Sequence, residues 1–89
     1  MKARNDLILR NLAGEYVLMP TGAAIKDFHG TVVMNELSAF VWEKLKAPAD
    51  RRELLDAILE KYDVDEATAA ADLDALLERF EALEILEKA

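Results

Sequence analysis

Few residues in this chain are equipped to do chemistry. The only histidine, His29, sits in Asp27-Phe28-His29-Gly30, which reads as a solvated turn better than as a general base. There is no cysteine, so thiolate catalysis and disulfide staples are excluded. A zinc site would have to draw most of its ligands from carboxylates, against the usual mix of sulfur and imidazole. Asp63, Asp65 and Glu66 could suggest a cation loop, but the calcium-loop spacing and its glycine are absent. These acids fit a helix N-terminus, where they oppose the positive end of the helix dipole. Ser38 and the three threonines have no base partner at a recognisable spacing. Gly14, Gly22 and Gly30 are not clustered at the opening of a helix, so they make no phosphate cradle. The sequence therefore points away from an enzyme: it offers no catalytic, metal-binding or cofactor-binding residues.

Composition narrows the remaining classes. Eighty-nine residues fit one domain, 1–89, and 53% apolar content supports one core. No window approaches the roughly 18 consecutive apolar residues of a membrane span. The opening Met1-Lys2-Ala3-Arg4-Asn5-Asp6 lacks the apolar stretch of a secretory signal, so the expected location is the cytoplasm, with no membrane partner. The net charge is −7 and unevenly placed: residues 60–89 hold ten acids against Lys61, Arg79 and Lys88. Such a surface repels nucleic acid and anionic lipid.

The elements follow from punctuation and period. The three glycines fall eight residues apart and separate short apolar runs, the pattern of antiparallel strands joined by turns. The runs are Leu7 to Leu12, Tyr16 to Met19 (stopped by Pro20) and Thr31 to Met34; Ala23 to Phe28 reads as a further short strand or an irregular connection. From Asn35 onward the period becomes helical. Asn35 suits an N-cap, and Leu37, Phe40, Val41 and Leu45 share a face up to Lys46. A second helix opens at Asp50 with Glu53 three residues on, the spacing of a capping box. A third opens near Asp65, with Ala69, Leu73, Leu76, Phe80 and Leu83 at alternating steps of four and three. Ile85-Leu86 is expected to pack back on the domain. Strands over about 7–34 and helices over about 35–83 predict an α+β fold: a three-stranded antiparallel sheet followed by a three-helix bundle, like a winged helix-turn-helix. Phe40 and Trp42 read as core anchors.

A winged helix raises the possibility of a DNA-binding regulator. A recognition helix needs cations for the phosphates. The third helix carries six acids from Asp65 to Leu83 and only Arg79 as a base, so it would be repelled.

Several stretches, in order, resemble the PqqD-like family, named for a protein of pyrroloquinoline quinone biosynthesis. They are Leu9-Arg10-Asn11-Leu12-Ala13-Gly14-Glu15, Asp27-Phe28-His29-Gly30, Met34 through Trp42, Lys61-Tyr62-Asp63-Val64-Asp65, and Asp72-Leu73 with the leucines beyond. The Asn35-Glu36…Phe40-Val41-Trp42 stretch is the specific part. Met34 and Leu37 replace the more usual Leu and Thr. Glu84 stands where the family usually has glycine, a residue suited to the left-handed end of a helix.

The resemblance implies a non-catalytic recognition domain for ribosomally made, modified peptides. The leader of the precursor would add as a strand to the sheet edge and lie against the third helix. A modifying enzyme, often a radical S-adenosylmethionine protein, would then act on the peptide. By this resemblance the edge is Thr31, Val32, Val33 and Met34, and the helical wall is Leu73, Leu76, Leu77, Arg79 and Phe80. A leucine stripe is first of all a core signal, yet Leu77 makes this one wider than a single packing seam needs. Alternatives are a winged-helix transcriptional regulator and a homo-oligomeric scaffold, such as a homodimer pairing its own edge strands.

Overall fold

The computed structural model describes residues 1–26 and 31–87. Strands β1 (Leu7–Leu12), β2 (Glu15–Pro20) and β3 (Val32–Met34) precede helices α1 (Glu36–Lys44), α2 (Arg51–Lys61) and α3 (Glu66–Ala82). The sheet is antiparallel in the order β1-β2-β3, so β2 is interior and both other strands are edges. Ala13 and Gly14 connect β1 to β2 with φ of 54° and 88°, two left-handed residues as the twist of a tight hairpin demands. Gly14 N–H donates to Asn11 Oδ1 at 3.1 Å, which braces that turn.

The connection after β2 is a 3-10 helix, Gly22–Lys26, and not a strand. Strand β2 runs through Pro20, which pairs with Leu7, and a β-branched run begins only at Thr31, so Gly22–Lys26 has too little strand propensity to extend the sheet. The turn expected at Asp27 to Gly30 lies outside the described residues.

Each helix begins where a side chain takes up a free backbone N–H. Asn35 Oδ1 accepts from Ser38 N–H at 2.8 Å, and Asp65 caps α3 through Thr68. Asp50 and Glu53 form the full reciprocal capping box of α2. α1 ends at Lys44, two residues earlier than its apolar period suggested, with Leu45 as its cap.

Between the inner sheet face and the helices lies one core, with Leu18, Met34, Val41, Trp42, Leu45, Leu54, Ile58, Leu73, Phe80 and Ile85 all at 3% exposure or less. Ile85 and Leu86 do pack back. Leu86 bridges to Ala3, and the Arg4 and Glu87 N–H groups donate to the Ile85 and Lys2 carbonyls.

The end of α3 explains the unusual residue at position 84. Ile85 N–H reaches back to the Phe80 carbonyl at 3.2 Å and Glu84 N–H to the Glu81 carbonyl at 3.1 Å, the paired bonds of a Schellman motif. That closure requires a left-handed residue, and Glu84 supplies it at φ 57°. A side chain there is strained where glycine would not be. Glu84→Gly is expected to stabilise the fold by roughly 0.5–1 kcal/mol, read as a higher urea midpoint with unchanged slope.

Candidate functional site

The sequence-predicted edge residues fall on and around β3. Hydrogen-bonding alternation fixes which of their backbone groups are free. Thr21 N–H donates to the Asp6 carbonyl at 2.8 Å, one step beyond the Leu7↔Pro20 pair. Odd-numbered residues of β2 therefore bond to β1, and Tyr16 and Leu18 turn to β3, where they face Met34 and Val32. In β3, Val32 and Met34 are thus tied to β2, and Val33 directs its N–H and C=O away from the sheet. Its side chain lies on the outer face at 52% exposure, whereas Met34 points inward and is buried. Thr31 is exposed and Val32 half-buried.

The named α3 residues divide in two. Leu73 and Phe80, at 0% and 1% exposure, are interior core residues. Leu76 and Leu77 keep 7% and 9%, and Arg79 is exposed between them and the end of the helix. All four apolar residues belong to the same cluster as Met34, so the core joins the β3 strand to the α3 stripe.

Sequence reasoning missed a second feature, a cleft of about 330 Å³ between the sheet and α1. Leu9, Asn11, Tyr16, Glu36, Phe40, Glu43 and Lys61 line it together with Ala39. Phe40 is only half-buried, so it is a wall residue here and not the core anchor its spacing suggested. Trp42 is the anchor, at 1%. Phe40 meets Tyr62 edge-on, with centroids 5.8 Å apart, and Lys61 Nζ sits 4.5 Å from the Phe40 centroid. A lysine and a tyrosine at adjacent positions, with an aromatic on the preceding amphipathic helix, were the only available signals of this cluster.

Tyr62 Oη donates to Glu36 Oε2 at 3.1 Å. Burial first, and the Glu36 carboxylate second, hold the Tyr62 phenol above its usual value. The fold favours the protonated phenol. Its contribution to stability is therefore present below about pH 10 and is lost as pH climbs through the raised value. Titration of phenolate absorbance is expected to show Tyr62 ionising late, and Tyr62→Phe to remove that late phase.

No group of three or more metal-ligating side chains occurs among the described residues, and no helix there is long and apolar enough to cross a membrane. The model of the family Coenzyme PQQ synthesis protein D (PqqD) matches residues 8–86. The chain belongs to the PqqD family. No curated protein matches it. Among solved structures, TbiB1 in complex with the TbiA(beta) leader peptide superposes with a TM-score of 0.77 at 24% identity, over 100% of this chain and 98% of that one. A lasso peptide synthetase B1 complexed with the leader peptide gives 0.74 at 14% identity, over 98% and 96%. At these identities the likeness establishes that this PqqD-family domain shares their fold.

Proposed function

We propose that this domain is a non-catalytic recognition module that binds the leader of a ribosomally made precursor peptide and presents it to a modifying enzyme. The free N–H and C=O of Val33 at the β3 edge carry the reading, because an extended peptide can satisfy both by adding as a fourth strand. Family membership and a fold shared with two proteins solved in complex with leader peptides support it. The contact set is Thr31, Val32, Val33 and Met34 along the edge, with Leu76, Leu77 and Arg79 as the α3 wall and Leu73 and Phe80 holding that wall from beneath. Arg79 pairs with an acidic leader side chain, a contact contributing about 0–1 kcal/mol. The enzyme served is a peptide-modifying enzyme, of the radical S-adenosylmethionine class or another, and the site of action is the cytoplasm, where precursors are synthesised.

Calorimetric titration of the purified domain with synthetic leaders, taken from short reading frames beside its gene, tests the proposal. Saturable one-to-one binding is expected. Absence of heat and of amide shifts at Val33 for every such leader would overturn it.

A further inference from the structure

Strand β3 offers a peptide little backbone. Val33 is the one residue of Val32–Met34 whose N–H and C=O both point away from the sheet. The next outward position toward α1 is Asn35, and its carbonyl already accepts the Ala39 N–H at 3.0 Å. The ladder that an added strand can form on this border is therefore short. A few net hydrogen bonds do not offset the freedom an extended peptide gives up on binding. Side chains must supply the difference.

Both faces of the border have apolar surface for this. On the inner face Met34 belongs to the core cluster and half-buried Val32 packs against it. On the outer face Val33 stands directly opposite Val17. The two do not bond each other across the ladder, the arrangement that brings side chains closest. Val17 is 8% exposed yet lies outside the core cluster, to which its neighbour Leu18 belongs. The outer face of a one-sided sheet is ordinarily polar. Here Val17 and Val33 form an apolar row that reaches the β3 border uncovered. Arg10 closes the row at its far end, with β2 and β3 between it and any peptide on that border. Thr31 and Asn35, the outward residues flanking Val33, are polar and exposed, so the apolar spot is one residue wide.

We infer that the leaders taken here carry three consecutive apolar residues, the middle one β-branched or aromatic and seated on the outer face beside Val33. An added strand continues the pleat of the sheet. The peptide residue beside Val33 therefore lies on the outer face, and its two neighbours turn inward beside Val32 and Met34. The middle residue extends the Val17–Val33 row by one strand, and β-branched or aromatic side chains make the most favourable cross-strand partners for valine. Leader residues two places away on the outer face meet Thr31 or Asn35 and are free to be polar. The selected pattern is thus a short continuous apolar run, not the simple alternation of a strand with one solvated face. The inference rests on the reading of β3 as the edge that takes the leader.

Calorimetric titration of the full chain with single-residue variants of one bound synthetic leader tests it. Isotope-filtered NMR contacts from the Val33 methyl groups identify the leader residue beside them. Replacing that residue with Asp is expected to lower affinity about tenfold, because its carboxylate would lose water against Val33 and Val17. Asp at either position two places away should change affinity by less than about twofold. These substitutions lie in the peptide, so their readout does not depend on the folding of a variant domain. Val33→Lys, a change suited to an exposed sheet edge, should weaken the parent leader and bind the Asp-bearing leader more tightly than the unaltered domain does. A polar residue beside Val33 in the bound leader overturns the inference, as does an Asp tolerated there or a Val33→Lys domain that shows no such reversal. A domain that binds no leader at all defeats the recognition reading itself.

Discussion

Replacing Val33 with proline is expected to leave the domain folded and to lower leader affinity by about tenfold to a hundredfold. The ladder to β2 is made by Val32 and Met34, so the lost N–H is one that the free domain gives only to water. An added strand needs that donor, and the pyrrolidine ring stands where the peptide backbone would approach. The residue before a proline prefers extended backbone, which Val32 already has as a strand residue. Val33→Ala is the control. It keeps the N–H and removes only an exposed side chain, so its affinity should fall far less. Circular dichroism verifies folding and calorimetry reads the affinity. Equal affinities for the proline and alanine variants would show that no strand is added at β3.

Truncating Phe80 has the largest expected effect on stability. Its ring is 1% exposed within the core, and its carbonyl accepts the Ile85 N–H that closes α3. Phe80→Ala is expected to cost about 3–5 kcal/mol, through lost burial and the cavity left behind. A small domain has about 5–15 kcal/mol in total, so a large share of the variant should be unfolded under mild urea. Arg79→Ala, one position away and exposed, should stay within about 0.5 kcal/mol of the parent. The two substitutions separate the uses of α3. A drop in leader binding by Phe80→Ala reports on folding, whereas a drop by Arg79→Ala at unchanged urea midpoint reports on contact with the peptide.

Local signals in the sequence carried most of the fold. Asn35, Asp50 and Asp65 announce helices through their own side-chain oxygens, and the structure shows all three bonds. The Gly14 hairpin and the Thr31 to Met34 run are legible because turn chemistry and β-branching act over a few residues. The order of strands in the sheet is another matter, since it depends on which partners meet across the chain. Periodicity could therefore name an apolar stripe on α3 but could not rank Leu73 and Phe80 as deeper than Leu76 and Leu77. It also misjudged Phe40, whose helical spacing matches a core residue although its ring faces Lys61 and Tyr62. Glu84 was visible as an odd residue. That it adopts a left-handed backbone to close α3 became apparent only from the hydrogen bonds around it.

The knot of bonds joining Arg4 to Glu84 and Ile85, with Ala3 donating to the Leu45 carbonyl at 2.7 Å, bears on the order of assembly. The Arg4–Glu84 partners lie 80 positions apart in sequence, whereas the hairpin and each helix close over a handful. Closing so long a loop costs entropy before any contact rewards it, so this stitch is expected to form last during folding. It is also where the native state should loosen first, making proteolysis near Asn5 an early reporter of unfolding while the buried tryptophan is still enclosed.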